Sequence, residues 1–198
     1  MTIGSPKLAQ LGCFSPGSSP PLPNERAAFN METVYYIILA FLSFSLVKAL
    51  FFTDRSPIPE TSGHVYKITE AAELRALLAS TTYVVVDFYA DWCPPCRAIA
   101  PIFSRLADTH ASKGQLAFAK VNVDHVKNVA GQFNVTAMPT FLFFERGAPR
   151  GVMVDGIRGH PSVSFGDDGL VDRIRGADKV ALEKVVQALA GKAGPAKE

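Results

Sequence analysis

The sequence predicts an α/β domain over residues 64–190, in which strands alternate with helices. Three observations predict it. Apolar residues switch between alternation of two and a helical repeat along this stretch. Tyr83–Tyr89 holds three consecutive valines, the mark of a strand buried on both faces. The segments from Val65 onward run strand, helix, strand, helix, strand, which implies parallel strands joined by right-handed crossovers.

Composition sets the outer limits. Hydrophobic residues are 48% and charged residues 19%, close to globular averages. That excludes a fully disordered chain and argues against a multi-span membrane protein. Lys plus Arg is 20 and Asp plus Glu is 18, for a net charge of +2. A nucleic-acid binder would need a concentrated basic face, so no nucleic-acid partner is expected. Three cysteines exclude a disulfide-stapled secreted scaffold.

Along the chain, Pro, Gly and Ser fill twelve of the first thirty positions. Residues 1–30 cannot bury enough apolar surface to offset their ordering entropy and read as a disordered tail. Cys13, without a partner there, reads as an incidental thiol. One arginine, Arg26, beside Glu25 is too little for a mitochondrial transit peptide.

Residues 31–53 form a hydrophobic segment, a membrane anchor or a signal. Within it, residues 33–52 carry one charge, Lys48, near one end, where its stem can snorkel. Tyr35, Tyr36, Phe51 and Phe52 bracket the run. The alternative is a signal peptide starting at Met31, but Met31-Glu32-Thr33 lacks the positive charge of an n-region. A single-pass anchor is preferred. Lys48, Arg55 and Lys67 outnumber Arg26, so the domain is expected to face the cytosol. A cytoplasmic protein, or a lumenal one after cleavage, is the other reading. Residues 54–63, with Pro57 and Pro59, read as a linker.

The domain's elements follow in order. Val65–Ile68 is a short strand. Glu70–Ala79 is a helix with Ala71, Leu74, Leu77 and Leu78 on one face. After the valine strand, Pro94–His110 is a helix with Ile99, Ile102, Phe103 and Leu106 on one face, kinked at Pro101. Leu116–Val123 is a strand, Val126–Phe133 a short helix, and Thr140–Phe144 and Leu170–Arg175 are strands. Asp178–Ala190 is a helix with Leu182, Val185, Val186 and Leu189 on one stripe. Residues 191–198 read as a disordered end.

The chemistry gathers at Asp91-Trp92-Cys93-Pro94-Pro95-Cys96-Arg97, between the buried strand and a helix. Two cysteines three apart at a helix start can close a small disulfide. The dipole and free N–H groups there favour a Cys93 thiolate, the attacking species in disulfide exchange. Cys96, one turn inside the helix, would resolve the mixed disulfide. Pro94 and Pro95 suit the first helical turn and stiffen the loop, leaving the Cys96 and Arg97 amides as candidate donors to the Cys93 sulfur. A zinc site would need a second Cys or His pair, and His110 and His125 lack the spacing, so no metal is expected. A CxxC at a strand-to-helix junction points to redox exchange.

At these residues the chain resembles the thioredoxin family. The matching blocks are Val86-Asp-Phe-Tyr-Ala-Asp-Trp-Cys-Pro-Pro-Cys-Arg-Ala-Ile-Ala-Pro-Ile102, Ala119-Lys-Val-Asn-Val-Asp124 and Ala137-Met-Pro-Thr-Phe141. The resemblance implies a thioredoxin-like fold, a central mixed β-sheet flanked by α-helices, and thiol–disulfide oxidoreductase activity. It makes Cys93 the nucleophile and Cys96 the resolving thiol. Asp87 is the buried acid that takes the proton from Cys96, its pKa raised by the apolar strand, and Lys120 tunes it. The Met138–Pro139 bond is expected to be cis, docking an extended substrate beside the cysteines. Trp92 would shield the disulfide and present an apolar surface. No bound cofactor is needed beyond the redox-active disulfide. Client proteins with disulfides and a thioredoxin-reductase-type flavoenzyme donor are the implied partners.

Two departures stand out. Pro-Pro replaces the family's usual Gly-Pro between the cysteines, and the Gly-His of oxidising isomerases is absent, which favours a protein-disulfide reductase serving cell redox homeostasis. Residues 148–168 are added where the family needs only a tight hairpin. They contain Val154-Asp-Gly-Ile-Arg-Gly159, nearly a copy of Val171-Asp-Arg-Ile-Arg-Gly176. The first copy is expected to form an extra hairpin or compete for the edge position. It is either a bland duplication or retained stretch, or a partner loop using Arg150, Arg158 and His160. Rival functions are a non-catalytic adaptor docking through this loop and a lumenal protein-disulfide oxidase behind a cleaved signal.

Overall fold

The structure, a computed structural model, describes residues 30–51, 56–59 and 63–194. The expected tail, with Cys13, lies outside the described residues except for Asn30. So do parts of the expected linker and residues 195–198. The chain divides into two units, Met1–Phe51 and Phe52–Glu198.

The first unit contains α1 (Met31–Phe51), one helix of 21 residues. At about 1.5 Å per residue it spans about 30 Å, the thickness of a bilayer's hydrocarbon core. Its stretch Met31–Lys48 is long and apolar enough to cross a membrane. The successive residues Tyr35, Tyr36, Ile37 and Ile38 point to all sides of the helix and are all exposed, so the apolar residues ring it instead of forming one stripe. Lys48 folds back over the Phe44 ring, Nζ 5.5 Å from its centre.

The second unit is built on a sheet of β1 (Val65–Ile68), β2 (Tyr83–Tyr89), β3 (Leu116–Asn122), β4 (Thr140–Glu145), β5 (Ala148–Pro149), β6 (Val163–Phe165) and β7 (Val171–Arg175). The helices are α2 (Ala71–Ser80), α3 (Pro94–His110), α4 (Lys127–Gln132) and α5 (Lys179–Ala193). Strand order is β1-β3-β2-β4-β7-β6, with β5 beside β4. The first three pair in parallel, as the strand–helix alternation predicts. β4 is antiparallel to β2, and β7 to β4, which makes the sheet mixed.

Each face of the sheet carries its own core. Phe103, Leu106, Leu182 and Val186 from α3 and α5 cover one face, and Leu74, Leu78 and Val129 from α2 and α4 the other. β2 is buried on both, as its valines foretold. Val84, Val86 and Phe88 face α2 and α4, and Val85 faces α3 and α5. α3 runs unbroken through Pro101. α5 extends to Ala193, into residues expected to be disordered, because nothing breaks it before Gly194 at φ 76°.

The expected linker is not free chain where it is described. Ile58 is buried against Tyr89, Ala90, Cys93 and Cys96. The two prolines drew attention to a loop, while the isoleucine between them carries the packing.

The added segment also differs from expectation. β4 turns into β5 through Arg146 (φ 49°) and Gly147 (φ 85°), a two-residue hairpin with both φ positive. The Arg150 amide still donates to the Phe143 carbonyl at 2.9 Å. The next partner along β4 is Leu142, and it faces Arg173. Residues 151–172 are therefore spliced into one antiparallel strand, which stops and resumes. The ends of the splice meet closely: a Cβ on Gly151 would fall 2.5 Å from that of Leu170.

The first copy of the repeat forms neither a hairpin strand nor a competitor for the β7 position. It buries Ile157 among α3 and α5, and Val152 bridges Val171. The extra strand is β6, which pairs with β7 through a register shift between Ser164 and Phe165. Arg150 and Arg158 are exposed, but His160 is held: its Nδ1 lies 3.0 Å from Asp178 Oδ2. The Ser162 hydroxyl donates to the same oxygen at 2.5 Å, and the other oxygen accepts the Ala181 amide at 2.9 Å as the cap of α5.

Desolvation pushes the Asp178 carboxyl up, but the Ala181 amide, Ser162 and His160 outweigh it and hold the pKa at about 2. The stability this gives is present in full above the unfolded carboxyl's value, 3.8, and is lost as pH falls toward 2. Asp178→Ala is expected to lower stability by about 0.5–2 kcal/mol at neutral pH. The loss should shrink markedly at pH 2, as read by chemical denaturation at both pH values.

Candidate active site

β2 ends at Tyr89 and α3 begins at Pro94, so the redox motif occupies a strand-to-helix turn. Pro94 and Pro95 take the first two helical positions, where a missing N–H leaves no intrahelical bond unmade. Cys93 is the residue that caps α3. Its sulfur accepts the Cys96 N–H at 3.3 Å, the bond a Ser or Asp oxygen usually accepts at a helix start. Of the two amides expected to face this sulfur, the Arg97 N–H instead donates to the Cys93 carbonyl at 3.2 Å. The cysteines form a disulfide, with sulfurs 2.19 Å and Cα atoms 5.3 Å apart. Both are buried, Cys96 at 1% exposure and Cys93 at 3%.

Asp87 reaches the redox pair's side of the sheet by strand alternation. Val86 and Phe88 point the other way, and Asp87 shares the face of Val85 and Tyr89. It lies in register with Lys120 of β3. Alternation along β3 puts Lys120 on the same face, since Phe118 packs there and Ala119 and Val121 do not. Lys120 Nζ sits 5.6 Å from the centre of the Tyr89 ring. A cavity of about 20 Å³, room for about one water, is lined by Asp87, Lys120, Tyr89 and Ser104 among others. Asp87 Oδ1 is buried there without a hydrogen-bond partner among the described residues. Burial pushes the Asp87 carboxyl up to about 7, and the Lys120 charge opposes that rise.

The loop before β4 closes the other side. The Met138–Pro139 peptide is cis, and the Met138 carbonyl oxygen lies 3.6 Å from Cys93 Sγ. The loop is tied down by Thr140 Oγ1 donating to the Ala137 carbonyl at 2.8 Å and by the Gly176 amide donating to the Pro139 carbonyl at 2.7 Å. Trp92 is 42% exposed, and its indole N–H donates to Asp124 Oδ2 at 2.8 Å. Cys93, Cys96, Asp87, Lys120, Trp92, Met138 and Pro139 thus stand around one turn, with Pro94 and Pro95 exposed at its rim, while Arg150, Arg158 and His160 lie in the added segment. Among the described residues no cluster of three or more His, Cys, Asp or Glu side chains is placed to hold a metal ion.

One network escaped the sequence reading. Asp91 accepts the Asn122 amide group at 2.8 Å through Oδ2 and the Ile58 N–H at 3.2 Å through Oδ1. Arg97 Nη2 donates to the Asp91 carbonyl at 2.9 Å and also to the Ser56 carbonyl. Asp91, Arg97 and Asn122 all stand inside the motif blocks, but apart from the Arg97–Asp91 bond the contacts join residues some thirty or forty apart in sequence. No local pattern marks such pairs.

A carboxyl whose pKa rises on folding opposes the fold once its unfolded counterpart ionises. The native state holds the proton between the unfolded value, 3.8, and about 7, so stability falls as pH climbs through that window. Asp87→Asn is therefore expected to stabilise the oxidised protein by on the order of 2–4 kcal/mol at pH 8 and by little at pH 4. Urea unfolding at both pH values reads this.

Residues 65–165 match the thioredoxin family model. A thioredoxin-like protein from Fusarium culmorum is 61% identical over 83 residues, 42% of this chain and 69% of that protein. A thioredoxin from Neurospora crassa is 55% identical over 86 residues, 43% of this chain and 68% of that protein. The crystal structure of thioredoxin from Malassezia sympodialis superposes with a TM-score of 0.51 at 28% identity, covering 67% of this chain and 96% of that one. The redox pair, the Asp87–Lys120 register and the cis Met138–Pro139 loop all fall inside the matched residues, and the chain belongs to the thioredoxin family.

Proposed function

We propose that the chain is a thiol–disulfide oxidoreductase that reduces protein disulfides and so contributes to cell redox homeostasis. The observation that carries this reading is the Cys93 sulfur at the start of α3, receiving the Cys96 N–H, with the buried Asp87 on the same side of the sheet. In the dithiol state, the Cys93 thiolate attacks one sulfur of a client disulfide. A Cys93–client bond forms, the client's S–S bond breaks, and the released thiolate takes a proton. Cys96 then loses its proton to the Asp87 carboxylate and attacks Cys93 Sγ. The Cys93–Cys96 bond closes, the Cys93–client bond breaks, and the second client sulfur leaves as a thiolate that takes a proton from solvent. Two electrons have passed to the client. Lys120 limits how far burial raises Asp87.

Trp92, Met138 and Pro139 offer the client surface, with Trp92 exposed and the loop beside Cys93. No bound cofactor enters. The dithiol is regenerated by two electrons and two protons from a thioredoxin-reductase-type donor, a flavoenzyme by kinship with the family. α1 serves as a single-pass membrane anchor with the domain toward the cytosol, a reading supported by its length and its all-round apolar surface.

The full chain in detergent is expected to reduce insulin disulfides with dithiothreitol as electron source. Cys93→Ser should fall to the dithiothreitol background, and Cys96→Ser should accumulate a mixed disulfide visible on non-reducing gels. A folded wild type with no activity, or partner capture that survives loss of both cysteines, would favour the adaptor reading. The membrane reading has its own test. After alkaline carbonate washing of cell membranes, the intact chain should stay in the pellet at its full 21.3 kDa. A soluble, shortened chain would point to a cleaved signal.

A further inference from the structure

The chain at Ser56–Pro59 lies outside the sheet and its helices, yet it is fixed on the redox site from two directions. Arg97, the residue following the redox pair, holds the Ser56 carbonyl and lies 3.4 Å from the Ser56 hydroxyl. Asp91, just before Trp92, accepts the Ile58 N–H at 3.2 Å. Between these ties the Ile58 side chain is only 8% exposed and packs with Cys93, Cys96 and Tyr89. Pro57 and Pro59 fix φ on either side and give up no amide that the site needs. Ile58 and Pro59 also line the small cavity into which Asp87 opens.

We propose that Ser56–Pro59 is a strap that seals the Asp87 cavity against bulk water, with Ile58 as a positioning residue for the proton transfer that resolves the mixed disulfide. The proposal rests on the oxidoreductase reading above. A carboxylate that accepts the Cys96 proton near neutral pH needs its affinity for protons raised, and that needs the cavity closed to bulk water. The sheet lines the cavity through Val65, Tyr89 and Lys120, and α3 through Ala100, Phe103 and Ser104. The titratable groups facing Asp87 in the cavity are Lys120 from β3 and Tyr89 from β2; α3 adds none there, and the strap adds only apolar atoms. The exposed Trp92 and the Met138–Pro139 loop, which offer the client surface, do not line this cavity.

The test is the titration of the Asp87 carboxyl in the oxidised full chain in detergent micelles, followed by its carbon-13 resonance. Ile58→Ala should lower the midpoint by about one pH unit or more, toward an ordinary carboxylate. Ile58→Leu, which refills the wall, should restore it. Should Ile58→Ala fail to fold, Arg97→Gln releases the strap's other end. Loss of a nearby cation would by itself raise the midpoint, so a fall in that variant reads the seal. A midpoint unmoved by Ile58→Ala, or raised in Arg97→Gln, overturns the proposal. Insulin reduction on the same preparations separates the two readings. A titration shifted in Ile58→Ala, with the folded wild type inactive toward insulin, keeps the seal and sinks the reductase. Activity with an unshifted titration does the reverse.

Discussion

Asp87 stands on a strand whose neighbours are valines and phenylalanine, and burying its carboxyl works against the fold. Much of the architecture around it follows from tolerating that group. The parallel pairing of β2 with β3 brings Lys120 opposite it, on the same face, so a cation offsets part of the desolvation. The offset is incomplete, and the carboxyl stays near neutrality. Structural purposes alone would favour an apolar residue here, as at Val85 two positions earlier. A buried acid at this place costs stability, which is the pattern the proposed proton-transfer role would require.

The redox turn shows how little sequence is needed to set a reactive sulfur. Two prolines begin α3 without wasting a donor, and the next free amide, that of Cys96, falls on Cys93. Helix start, sulfur position and disulfide partner are consequences of one four-residue stretch. The Met138 carbonyl and the Asp91 network then close around it from distant parts of the chain.

What could be read from the sequence was local or periodic. The valine strand, the stripes of α3 and α5, and the cysteine turn all announced themselves through alternation, helical repeat or spacing. Even Asp87 was visible, as a charge in the wrong company. Ile58 was not, because a single apolar residue between prolines has no periodicity, and its value lies in what it touches. The interposed residues 151–172 misled for a related reason. Their hexapeptide copy resembles β7, but likeness in sequence does not fix a strand where β4 already has its partner. Ile157 found the core, while Val163–Phe165, with no such signature, found the sheet. Helix ends also drifted by a residue or a turn, since caps such as Asp178 compete with simple periodicity.

The splice has a further consequence at the rim of the sheet. Without β6, the five residues of β7 would show a row of unpaired amides and carbonyls to solvent, a template for a strand from another molecule. With β6 in place, the sheet ends in three residues interrupted by a bulge. So short and irregular a border makes a poor mould for fibril growth, and a segment that could pass for an accident of the gene doubles as protection against self-association.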